Sequence, residues 1–176
     1  MSTPKVLALL AAVGLMAAAP AAPRFGRPAT PEEIARMDLT ILPDGDNLPA
    51  GSGSVSQGAA IFVVKCQTCH GPAGAGATAD RLSGGIGSLA TPKPIKTVAS
   101  YWPYATTVFD YVRRAMPLTE PQSLKANEVY ALTAYLLSID GIVAKDAVLD
   151  AKTLPQVKMP NRDGFVSYAP GARPGS

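Results

Sequence analysis

The sequence predicts an all-α domain with irregular extensions at both ends. Three segments repeat apolar residues at helical spacing, which marks three amphipathic helices. Glycine (16) and proline (17) are both frequent, and they gather between and beyond those segments, where loops are expected. The chain has 176 residues, 47% of them apolar, enough for one hydrophobic core.

Met1–Lys5 carries one positive charge, Val6–Ala19 is apolar, and Ala19-Pro20-Ala21 offers a small-x-small cleavage site. At about 1.5 Å per helical residue, this stretch falls short of a hydrocarbon layer about 30 Å thick. Residues 1–21 therefore read as a cleaved secretory signal, with an uncleaved anchor as the alternative. Cleavage leaves a mature protein with no membrane span in an oxidising, periplasmic compartment. Residues 22–53 form an N-terminal extension. Within it, Thr30-Pro31-Glu32-Glu33 can open a short helix, with a capping box and proline in the first position. Leu42 to Gly53 is rich in Pro, Gly and Asp and reads as loop.

The first firm helix is expected from Ser54 to Lys65, opened by a Ser54/Gln57 capping box. Ala59, Phe62, Val63 and Cys66 recur at i, i+3, i+4 and i+7 and make its apolar face. Gly58 costs such a helix about 1 kcal/mol relative to alanine, a cost that a close helix crossing would explain.

The chain has two cysteines and one histidine, and all three fall within Cys66-Gln67-Thr68-Cys69-His70. This C-x-x-C-H pattern is the attachment site of a c-type haem. Each thiol adds to one porphyrin vinyl group, two intervening residues span the gap between the vinyls, and the adjacent imidazole becomes the proximal iron ligand. A redox C-x-x-C needs a preceding strand, whereas the residues before Cys66 read as helix. Zinc needs a fourth ligand and wider spacing, and a Cys66–Cys69 disulfide would close a small, strained loop.

A lone histidine excludes bis-histidine ligation. Beyond the signal the methionines are Met37, Met116 and Met159. Met116 precedes Pro117, which stops a helix and forces an extended segment able to lay a thioether across the open haem face. Met116 is the expected distal ligand. Met159, also followed by proline, and an open sixth position are the alternatives. Methionine–histidine ligation raises the potential.

Gly71 to Gly76 reads as loop and residues 77–100 as irregular, the pattern of a chain wrapped around a cofactor. Pro103 starts a second helix through Arg114, with Val108, Phe109 and Val112 as its inner stripe. Tyr101, Trp102 and Tyr104 lie just before it. Their apolar bodies and polar tips suit a haem wall with hydrogen bonds to propionates, or ordinary core packing. A third helix runs from Leu124 to Ile139, lined by Val129, Leu132, Leu136 and Ile139 and ended by Gly141. Tyr135 is placed to pack on Gly58 and Phe62, crossing the first and last helices. Residues 142–176 form a C-terminal extension laid over the surface. Net charge is +3, from 16 basic and 13 acidic residues with no basic run, which argues against nucleic acid or an anionic membrane surface as partner.

The segment 54–141 resembles the class I cytochrome c domain. The matching elements are Gly58 and Phe62, Cys66-Gln67-Thr68-Cys69-His70-Gly71, Met116-Pro117, and Leu132-Thr133-Ala134-Tyr135-Leu136. The resemblance implies a class I cytochrome c fold with crossed terminal helices and one haem edge near solvent.

A narrower resemblance covers almost the whole mature chain. Gly26-Arg27-Pro28-Ala29-Thr30-Pro31, Leu48-Pro49-Ala50-Gly51-Ser52-Gly53, Ser100-Tyr101-Trp102-Pro103-Tyr104 and Met159-Pro160-Asn161-Arg162-Asp163-Gly164-Phe165 are similar to the cytochrome subunit of sulfite/sulfane dehydrogenases, the SoxD-like group. That implies a molybdenum-cofactor partner for the sulfur chemistry, with this chain passing electrons to a downstream cytochrome or oxidase. The extensions at 22–53 and 142–176 are the expected partner surface. Two departures stand out. Some members carry two haem domains, whereas this chain has cysteines for one. Lys125 also stands where many class I domains have a Ser or Thr helix cap, and Ser123 is the substitute cap expected here. A free-standing shuttle, an open-site haem enzyme or gas binder, and a thiol-disulfide oxidoreductase are the competing functions.

Overall fold

The computed structural model describes residues 25–166, and the expected signal at 1–21 lies outside them. The chain divides into two compact units after Met37. In the first, α1 (Pro31–Met37) starts as the sequence predicts. Glu33 N–H donates to Thr30 Oγ1 (3.3 Å) and Thr30 N–H to the Glu33 carboxylate (2.8 Å), a reciprocal capping box.

The second unit is mostly helical. Its elements are β1 (Ser52–Ser54), α2 (Val55–Lys65), α3 (Gln67–His70), α4 (Val98–Tyr101), α5 (Ala105–Ala115), α6 (Ala126–Ile139) and β2 (Val148–Asp150), with 3-10 turns at Pro72–Gly74, Ser88–Ala90 and Leu154–Gln156. Among the described residues, no helix is long and apolar enough to cross a membrane.

The frame of this unit is the crossing of α2 on α6. A Cβ on Gly58 would run into the Ala131 carbonyl oxygen and, at 2.8 Å, the Tyr135 Cβ. Glycine is therefore what lets the two backbones touch, and the contact offsets its propensity cost. One turn on, Phe62 and Tyr135 rings stand 5.2 Å apart, within the favourable range for aromatic pairs. Ser54 and Gln57 form the expected capping box. The buried stripe of α2 is Val55, Gly58 and Phe62, so the predicted face was rotated: Val63 is 56% exposed and Ala59 only partly covered. Apolar periodicity ranks valine above glycine, but here the glycine makes the contact.

Helix α6 is buried on nearly every side, through Val129, Tyr130, Leu132, Ala134 and Leu137 among others. Each fully buried large side chain of this kind contributes about 1.5–3 kcal/mol. The helix begins at Ala126, and Ser123 is not its cap. Lys125 takes the N-cap place in an extended conformation, and its N–H donates to the Glu128 carboxylate (2.8 Å). The helix ends on Gly141 (φ 74°), with Ile142 N–H donating to Leu137 O (3.0 Å) and Gly141 N–H to Ser138 O (3.2 Å), a Schellman motif.

Helix α5 begins at Ala105 rather than Pro103, because Trp102 and Tyr104 are extended and Tyr104 forms an antiparallel bridge with Lys158. Its predicted stripe of Val108, Phe109 and Val112 is buried.

Two regions expected to be peripheral are built into the fold. Leu42 to Gly53 is not all loop, since its end pairs as β1 with β2 in the register Ser52–Asp150, Gly53–Leu149 and Ser54–Val148. Ile41 joins the core, and Thr106 Oγ1 donates to Pro43 O (3.0 Å) and the Tyr130 hydroxyl to Pro49 O (2.9 Å). The segment after Gly141 is not a surface tail either, because Leu149, Leu154 and Met159 are core residues. Strands of three residues are too short to show alternation, which is why the sequence pattern missed them.

Candidate cofactor site

Helix α2 stops at Cys66, whose φ/ψ of −126°/−34° departs from the helix and lets the chain turn into α3. That short turn carries Cys69 and His70, tied back by Cys69 N–H to Cys66 O (3.2 Å) and His70 N–H to Cys66 O (3.0 Å). The two cysteines and the histidine thus sit on one turn at the end of a helix that Phe62 anchors. Both thiols are free, Cys66 half-buried and Cys69 exposed. Burial pushes the Cys66 thiol up to about 11, so it is protonated at neutral pH. A disulfide-exchanging cysteine needs a depressed value, and Cys66 is shifted the other way.

The segment after the motif folds back over it. Gly76 N–H donates to His70 O (2.7 Å), Ala79 N–H to Cys69 O (2.8 Å) and Leu82 N–H to Gly74 O (2.8 Å). This return places the Asp80 carbonyl 2.9 Å from His70 Nδ1. A carbonyl only accepts, so Nδ1 carries the proton and the Nε2 lone pair is left for a metal, the arrangement that fixes a ligating imidazole. A half-buried thiol, an exposed thiol and an Nε2-directed imidazole on one turn fit the donor set of a covalently attached haem.

The other predicted residues lie on the far side of the sequence. Met116 follows α5 in extended conformation (φ −121°, ψ 146°), and the helix ends at Ala115 as Pro117 requires. Met116, Cys66, Leu82 and Trp102 all pack, partly buried, against the same core cluster. Trp102 also makes a tilted ring contact with Tyr111, centroids 5.6 Å apart. Tyr104 carries the Arg162 guanidinium over its ring, 4.2 Å from the centroid. Tyr101 pairs with Phe165 at 5.3 Å, and its carbonyl accepts from Asn161 (2.7 Å). Of the remaining methionines, Met159 is 3% exposed in the core and Met37 is 84% exposed.

Sequence reasoning missed the Asp80 carbonyl and the Tyr111 ring. A backbone acceptor has no residue-type signature, and Tyr111 lies outside the stripe that periodicity identifies. A surface groove of about 420 Å³ between α2 and α6, lined by Gln57, Ala60, Asn127 and Glu128 among others, holds none of the predicted site residues.

The family model described as cytochrome c oxidase, cbb3-type, subunit III matches residues 53–136. Among solved structures, the crystal structure of the sulfane dehydrogenase SoxCD from Paracoccus pantotrophus matches with 46% sequence identity and a TM-score of 0.78, covering 82% of this chain and 72% of that chain. A search of the curated proteins gave no match.

Proposed function

Because this chain belongs to the c-type cytochromes of the Sox type, as the likeness of sequence and fold to SoxCD shows, we propose that it is the mono-haem electron-transfer subunit of a sulfur-oxidising dehydrogenase. Cys66 and Cys69 fasten one haem through thioether links, His70 Nε2 is the proximal ligand and Met116 the distal one. When bound, the haem supplies a one-electron couple held in an apolar setting. The observation that carries this reading is the His70 Nδ1–H donated to the Asp80 carbonyl, which leaves the other ring nitrogen unprotonated and available to a metal. Met116 is favoured over Met159 because Met159 is buried as core filling, whereas Met116 is only partly buried and lies in the extended segment that follows α5. Trp102, in that cluster too, is assigned to the haem wall. Tyr104 is assigned to the haem edge with its ring held by Arg162.

In this reading residues 1–21 direct export and are removed, 22–53 and 142–176 flank a cytochrome domain at 54–141, and the protein works in the periplasm. Its electron donor is a molybdenum-cofactor oxidoreductase acting on a sulfur substrate, and its acceptor is a downstream cytochrome or oxidase. The test is purification from the native periplasm, identification of whatever copurifies, and addition of sulfite or a sulfane compound to the oxidised preparation. A copurifying molybdenum protein and rapid appearance of the reduced α-band are expected. A chain that purifies alone and stays oxidised would return it to the free-standing shuttles.

A further inference from the structure

The C-cap residue of α6 is held to the loop that serves His70. Asp140 caps the helix at its C-terminal end, where the macrodipole disfavours a negative charge and the last turn supplies no basic residue. Its carboxylate instead accepts from Gly84 N–H, with both oxygens at 2.9 Å. Gly84 is also held through its carbonyl, which accepts from Thr97 Oγ1 at 2.6 Å. Between Gly84 and the imidazole lie four residues. Among them, Leu82 is fixed on both sides, donating to Gly74 O (2.8 Å) and accepting from Val98 N–H (3.1 Å), and Asp80 accepts from His70 Nδ1–H (2.9 Å). Residues 80–84 are thus a short strap with the ring at one end and the terminus of the most buried helix at the other.

We propose that Asp140 is a positioning residue for the His70 imidazole, fastening the strap whose Asp80 carbonyl accepts the Nδ1 proton. This rests on His70 being the iron ligand. A firm Nδ1–H···O bond raises the basicity of the ligating nitrogen and favours ferric iron, so loosening the strap raises the reduction potential. Removing a nearby negative charge raises it too, and the variants are chosen to separate the two effects. Asp140→Asn removes the charge and keeps an oxygen acceptor for Gly84, whereas Asp140→Ala removes both. In the purified haem protein, the potential of D140A is expected to lie above that of D140N. Solvent exchange of the His70 Nδ1 proton in the reduced form of D140A is expected to be faster by about fivefold or more, the factor one lost hydrogen bond supplies. Thr97→Val removes the donor to the Gly84 carbonyl, together with the Thr97 cap on α4, without changing any charge, and is expected to move both readings the same way. Equal potentials and equal exchange rates in D140A and D140N would overturn the positioning role and leave the haem reading standing. A wild-type protein that carries no haem would overturn both.

Discussion

The stretches on either side of Cys66 keep their shape by different means. Upstream, α2 is held by side-chain burial and close backbone contact: Gly58 on Ala131, Phe62 on Tyr135, and the capping box at Ser54. Downstream, residues 71–97 bury little of their own. They are held by hydrogen bonds between backbone groups and short polar side chains, such as Ser100 Oγ to Ile95 O (2.5 Å) and Ser88 Oγ accepting from Ile95 N–H (2.9 Å). One side is a core that can form from the chain alone. The other is a wrapping whose packing partner, in the proposed function, is the cofactor itself. The difference predicts that global stability resides in the helix crossing, while the chemistry resides in the loop.

The most forceful way to break this comparison is to empty the crossing. Phe62→Ala removes a ring that is 1% exposed, and a loss of about 3–5 kcal/mol is expected from denaturant unfolding. A loss under about 1 kcal/mol would show that the crossing is not the frame. Gly58→Ala adds a single methyl group where the Ala131 carbonyl already touches. The expected loss is about 1–3 kcal/mol, although alanine is intrinsically the better helix former. A stabilised variant would contradict the close approach.

A smaller effect sharpens the picture at the edge of the same crossing. Glu128 accepts from Lys125 N–H and lies 3.5 Å from Lys65 on α2. The Lys125 N–H foremost, and then the Lys65 charge, lower its pKa from the ordinary value of 4.5. A carboxyl whose folded value is depressed gives stability that is present above its unfolded pKa and lost as pH falls through the folded one. Glu128→Gln should therefore cost no more than about 1 kcal/mol at pH 7, since the pair is solvent-screened. The difference from wild type should vanish in acid below the usual carboxylate range. A gap that persists there would assign the effect to packing instead.

The same division explains what could be read from the sequence. The three main helices, the capping box at Ser54 and the stripe on α5 follow from periodicity and cap chemistry, which are local signals, and the Tyr135–Gly58–Phe62 crossing is suggested by a costly glycine inside a helix. Val63 was misplaced because apolar spacing cannot recognise a glycine as the contact residue. Three-residue strands and the buried Leu149, Leu154 and Met159 were missed because their partners are distant in sequence. At the site, Cys66, Cys69 and His70 are legible as a motif, whereas the Asp80 carbonyl and the Asp140–Gly84 bond are visible only once the loop is folded.

The central claim is that the Cys66–His70 turn holds an iron porphyrin through two thioether bonds. The most direct measurement is intact and peptide mass spectrometry of the native protein, together with its visible spectrum. The account predicts a peptide containing Cys66 and Cys69 heavier by one haem, and a low-spin c-type spectrum with a sharp reduced α-band. A colourless protein whose Cys66–Cys69 peptide has the unmodified mass, or carries a disulfide, would contradict it.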